Sequence, residues 1–133
     1  MALTLIQSQT VIAQAHAHAQ AQGWRVTVAV VDEGGLLQAL GRMDGAPPIS
    51  AQIAESKAVG CALWLREGES LQQVQADRPA FFDAVNRLVR LPIMPGLGSA
   101  LIKVDGRVHG AIGVSGAASD QDLECARAGL AGL

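Results

Sequence analysis

Residues 104–122, VDGRVHGAIGVSGAASDQD, decide the fold. Val104, Val108, Ile112 and Val114 make strand-like runs on either side of Asp105-Gly106, a dipeptide suited to a type I′ turn because both central positions need φ > 0. Three glycines in the run from His109 to Gly116 leave bare backbone where a ligand or another chain segment can come close. Ser119 then reads as an N-cap with Asp122 three residues on, ahead of the apolar positions Leu123, Ala126 and Leu130. A hairpin therefore feeds directly into a terminal helix.

Residues 28–58, VAVVDEGGLLQALGRMDGAPPISAQIAESKA, repeat that plan. Valines at 26, 28, 30 and 31 favour a strand over residues 25–31. Asp32-Glu33-Gly34-Gly35 is a turn of hairpin length, and residues 36–43 return as a second strand. Asp44-Gly45 breaks it. Pro47-Pro48 stands where a helix begins, since proline's missing N–H costs little in the first turn, and an alanine-rich helix follows over residues 49–65.

These stretches together resemble the HbpS/GlcG family of small haem-associated proteins, which also includes the C-terminal domain of PduO-type proteins. The resemblance rests on VAVVDEGG, GRMDGAP, the S-x-x-IA-x-x-KA pattern of residues 50–58, and VDGRVHGAIGVSGAASDQD, in that order along most of the chain. One departure stands before the late hairpin. The family usually has Gly-Gly-hydrophobic-Pro there, whereas this chain has Pro95-Gly96-Leu97-Gly98-Ser99-Ala100.

The other elements follow from pattern. Residues 4–22 read as an amphipathic helix with Leu5, Ile6, Ile12, Ala13 and Ala17 on one face and Gly23 ending it. Residues 68–90 read as short helices divided at Pro79, residues 91–94 as a short strand, and residues 95–99 as a loop. The order predicts an α/β (α+β) fold, an antiparallel sheet of about five strands flanked by helices. The resemblance implies its profilin-like version.

The chain has 133 residues, half of them hydrophobic, which suits one domain over residues 1–133 with one core. Aromatic residues make up 3% and tyrosine is absent, so alanine, valine, leucine and isoleucine must build that core. Small side chains bury less area each, which leaves room for a homo-oligomer to add stability. The net charge of −2 and scattered basic residues argue against nucleic-acid binding. Residues 1–10 lack a basic segment followed by an apolar core, and no apolar run approaches a membrane span, so the expected compartment is the cytoplasm. Cys61 and Cys125, far apart and outside any C-x-x-C pattern, suit buried thiols in that reducing compartment. No metal site is expected.

Several side chains carry candidate chemistry. Lys57, one of two lysines, shares a largely apolar helix face with Ile53, Cys61 and Trp64. It is either a desolvated ammonium that binds a carboxylate or a lysine whose stem packs while its head reaches water. Arg42 and Asp44 flank Met43, so strand alternation puts them on one face, as an anion-holding pair or a plain salt bridge. His109 and Ser115 are an even number of residues apart in one strand, with Asp120 close behind, but there is no G-x-S-x-G elbow. Ser115 alone suits a hydroxyl bonded to loop backbone, and Asp120 a charge at a helix N-terminus.

His16 and His18 are two apart on a helix and point in different directions, so they do not share one ion. His16 lies on the face of Ile12 and suits a single axial haem ligand or a tolerated helix histidine. His16, His18, His109 and Ser115 are thus the cofactor-binding candidates, with Cys61 and Cys125 as weaker ones. The catalytic candidates are Lys57, Arg42, Asp44 and His109.

The resemblance implies a protein that holds or handles haem at a subunit surface, although neither a C-x-x-C-H motif nor an aromatic-rich haem cage is present. Two other readings remain open. One is a small enzyme acting on an organic acid, in which Arg42 and Lys57 bind carboxylate and Asp44 or His109 moves a proton. The other is a sensor or scaffold that keeps the fold without a catalytic site.

Overall fold

A computed structural model describes residues 2–133; Met1, the first residue of the stretch read as lacking a leader, lies outside them. The described residues form α1 (Leu5–Gln22), β1 (Thr27–Asp32), β2 (Leu37–Arg42), α2 (Ile49–Trp64), α3 (Gly68–Asp77), α4 (Pro79–Asn86), β3 (Ser99–Val104), β4 (Arg107–Ser115) and α5 (Ser119–Leu130). The strands make one antiparallel sheet in the order β2-β1-β4-β3. This is the expected profilin-like layout with four strands, not five.

The missing strand is the one expected at residues 91–94. Asn86 explains its loss, because its side chain accepts a hydrogen bond from Ile93 N and donates to Ile93 O. Ile93 is thereby turned into a cluster with Leu71 and Phe82, and its backbone groups are satisfied without a ladder.

Both hairpins close as their turn residues require. Asp105 and Gly106 have φ of 52° and 76°, the paired positive values of a type I′ turn. In the first hairpin Asp32 Oδ1 accepts from Gly34 N (2.9 Å) and Leu36 N (3.0 Å).

Helix α1 is capped by Thr4, whose side chain accepts from Gln7 N, and ends at Gly23 with φ 81°. Its buried face differs from the expected one: Ser8, Val11, Ile12, Ala15 and Ala19 point inward, while Leu5 and Ile6 are exposed. Alanine occurs all round this helix, so apolar spacing marks its inner face weakly.

The sheet separates two cores. Val26, Val28 and Val30 of one face pack with Ile112, Val114, Ala100 and Ile102 against α1 and α5. Val31 and Ala111 of the other face pack against Ala58, Val59, Cys61 and Ala62 of α2. Cys61 and Cys125 therefore lie in different cores as free thiols. Alternation along β1 and β4 produces this division, since each strand is covered on both sides. Among the described residues no helix is long and apolar enough to cross a membrane.

Candidate functional site

Helix α5 starts one residue earlier than its sequence suggests. Ala118, not Ser119, occupies the N-cap position, and Gln121 Oε1 accepts from Ala118 N at 3.0 Å. This turns Asp122 inward, where Oδ1 accepts from Ala117 N at 3.0 Å and Oδ2 accepts from Lys57 Nζ at 3.1 Å. Lys57 Nζ also donates to Val114 O at 2.9 Å. Both side chains are buried, so the Lys57 head does not reach water. The pair fastens α2 to the β4–α5 junction.

Gly98 makes this closeness possible. With φ at +122°, it would bring a Cβ to 2.7 Å from Val114 O and 2.8 Å from Lys57 Nζ. Burial pushes the Asp122 carboxyl above its ordinary 3.8, while Lys57 and the Ala117 N–H pull in the opposite direction.

The remaining catalytic candidates do not join Lys57. Arg42 is exposed and donates weakly to Ala46 O at 3.4 Å, and Asp44 lies in the turn beyond the strand, where alternation no longer applies. Among the described residues they form no ion pair with each other. Ser115 is buried on the α2 side of β4, opposite Thr27, whose hydroxyl meets Ser50 Oγ at 2.7 Å. His109 is half-buried near the other end of β4. Six residues at about 3.3 Å each set it roughly 20 Å from Ser115, too far for one site. Asp120 is exposed in the first turn of α5. The acid brought into the interior is Asp122, which the sequence marks only as a capping residue.

The histidines of α1 face different surroundings, as their spacing requires. His18 Nε2 meets Glu124 Oε2 at 2.6 Å, and its ring sits edge-on to Trp24. His16 is half-buried, with Nε2 3.0 Å from Gly41 O. A carbonyl only accepts, so Nε2 carries the hydrogen and Nδ1 of the neutral ring keeps its lone pair. Gly41 clears the space for this ring, since a Cβ there would stand 2.7 Å from His16 Cε1. His16 lines a recess of about 290 Å³ with Gln20, Arg25, Met43 and Asp44.

Haem asks a protein for an axial donor, a cation near its propionates and a surface to lie on. The recess supplies the first two: His16 offers a ring held by the Gly41 carbonyl, Met43 a thioether and Arg25 a guanidinium. The cysteines fit poorly. Burial pushes the Cys61 thiol up to about 12 and the Cys125 thiol up to about 11, which keeps both protonated and away from a metal. Among the described residues no group of three or more His, Cys, Asp or Glu side chains is arranged to hold a metal ion.

Sequence reasoning also missed a clustering of aromatics. Trp64, Phe81 and Phe82 gather at the end of α2 and on α4, with Trp64 stacked on Phe82 at 5.7 Å between ring centres. Phe81-Phe82 was the available signal, but nothing local links it to Trp64.

Comparison with known proteins agrees with this architecture. Residues 3–131 match the family model described as "Haem degrading protein HbpS-like". Protein GlcG of Escherichia coli K12 is 39% identical over 110 residues, 81% of this chain and 77% of that protein. A double mutant of Streptomyces reticuli HbpS superposes with a TM-score of 0.89 at 32% identity, covering 100% of this chain and 88% of that one. A PduOC:heme complex shares the fold with a TM-score of 0.88 at 24% identity, covering 100% of this chain and 96% of the other.

Proposed function

The chain belongs to the HbpS-like family, and from that premise we propose that it binds haem, with His16 Nδ1 as the axial donor and Arg25 as the partner of a propionate. The observation that carries this reading is the His16 ring, held by Gly41 O at 3.0 Å and lining the recess with Arg25 and Met43. A carbonyl on the remote ring nitrogen fixes both tautomer and orientation of a ligating imidazole. Bound there, haem supplies redox and oxygen chemistry that the side chains lack. Met43 would offer its thioether as a second donor within the same recess. Arg25 and Gln20, which line the same recess, would hold the polar edge of the macrocycle.

His18 is the weaker ligand in this reading because its Nε2 is committed to Glu124. Neither His109 nor Ser115 lines the recess that holds His16. A recess of about 290 Å³ takes only part of a haem, so the rest lies on the surface or against a second copy of the chain. Leu36, Leu37 and Leu40, exposed at the β2 edge of the sheet, support a homo-oligomer that covers it. The protein works in the cytoplasm, where Cys61 and Cys125 stay reduced.

Titration with haemin, followed at the Soret band, tests the reading. The wild type and the His18→Ala and His109→Ala variants are expected to saturate, whereas His16→Ala loses the saturable phase. An unchanged titration in His16→Ala would overturn the assignment of the ligand, and no saturable binding by any form would overturn the function.

A further inference from the structure

A second cleft has no histidine in its lining. It measures about 470 Å³ and opens between the start of α3, the loop before β3 and the outer face of α5. Leu97 and Leu123 provide apolar surface, and Glu67, Glu69, Ser70 and Arg127 provide the polar groups. Its Pro95-to-Ser99 wall is the stretch where this chain departs from the family pattern.

Charge in the cleft is arranged by sign. Arg127, on α5, reaches Glu67 Oε1 through one contact of 3.3 Å, with both side chains substantially exposed. The other Glu67 oxygen is held by Leu101 N at 3.2 Å, so this carboxylate is oriented by backbone and does not depend on Arg127. Glu69, exposed in the first turn of α3, forms no ion pair among the described residues. Ser70 accepts from Arg66 Nη1 at 3.0 Å, which leaves its own hydroxyl hydrogen for another acceptor. A single solvent-exposed contact between long side chains is weak, and an incoming carboxylate can share the Arg127 fork at little cost.

We propose that this cleft binds a small zwitterion of the amino-acid type with an aliphatic side chain. The ligand carboxylate takes Arg127 and the Ser70 hydroxyl, its ammonium takes Glu69 and the fixed carboxylate of Glu67, and its side chain lies on Leu97 and Leu123. Glu67 and Glu69 beside Arg127 disfavour a simple anion, and Arg127, with Arg66 behind Ser70, disfavours a simple cation. Only a ligand carrying both charges satisfies both sides. The volume is within the range of small-molecule sites.

L-Leucine is the probe, compared by calorimetry with 4-methylpentanoate, which lacks the amine, and 3-methylbutylamine, which lacks the carboxylate. The expected result is saturable binding of L-leucine, at least tenfold weaker binding of either analogue, and at least tenfold loss of L-leucine affinity in both Arg127→Gln and Glu69→Gln. These two substitutions are at exposed positions, and circular dichroism checks that the variants remain folded. His16→Ala should bind L-leucine as the wild type does, which separates this cleft from the haem recess. Absence of L-leucine binding at millimolar concentration, equal binding of the analogues, or binding indifferent to both cleft variants would each overturn the proposal.

Discussion

Lys57 and Asp122, 65 residues apart in the chain, meet at 3.1 Å in a buried ion pair whose remaining contacts are all to backbone. Desolvating two charges is costly, and Val114 O, Ala117 N and the mutual attraction offset that cost only in part, since burial still holds the Asp122 carboxyl above its ordinary value. Removing one partner strands the other charge inside. Lys57→Met or Asp122→Asn is therefore expected to lower unfolding free energy by about 3–5 kcal/mol. The double variant Lys57→Met/Asp122→Leu should cost less than the sum of the corresponding single variants. Urea unfolding of the variants checks this, and additive losses would show that the two side chains act independently.

The titration of Asp122 has a definite direction. Burial raises its folded pKa above the ordinary 3.8, so the folded chain keeps this proton to higher pH than the unfolded chain. Its contribution to stability is then complete below 3.8 and is lost as pH rises through the raised folded value. Carboxyl carbon NMR of the folded protein should give Asp122 a midpoint above 3.8. A midpoint at or below that value would mean that Lys57 and the Ala117 N–H outweigh burial.

Gly41 keeps the His16 ring in place by having no side chain. In Gly41→Ala the new methyl would meet His16 Cε1 at 2.7 Å, and the imidazole must swing away from Gly41 O. The expected outcome is haemin affinity reduced at least tenfold, with stability changed by no more than about 1 kcal/mol at this edge-strand position. Parallel Soret titration and thermal melting separate the two effects. Retained affinity would remove the Gly41–His16 contact from the account of haem binding.

Both cysteines are predicted to be inert in the folded protein. Neither thiol is exposed, and burial holds them up at about 12 and about 11. At pH 8 a thiol-reactive dye should label neither under native conditions and both in denaturant. Native labelling at the unfolded rate would mean that the two cores open readily.

Local chemistry determined much of this protein. Asp105-Gly106, Asp32 to Gly35, Gly23 and the Pro47-Pro48 pair act through neighbours a few residues away, so the sequence alone marks both hairpins, the end of α1 and the start of α2. The motif order along the chain likewise marked the family. Tertiary structure decided the rest, because the deciding partners are remote. Ile93 was claimed by Asn86 and the Leu71–Phe82 cluster, which removed a strand that its apolar run suggested. The inner face of α1 was set by what α5 and the sheet could cover, since alanine is apolar on every side of that helix. Lys57 was legible as a desolvated lysine, but its counter-charge depended on a one-residue shift in the start of α5 that directs Asp122 inward. Arg42, Asp44, His109 and Ser115 share strand ends and alternation in the sequence; the length of β4 and the turn after β2 keep them apart. Periodicity specifies which way a side chain faces, and only the packed fold specifies what it meets there.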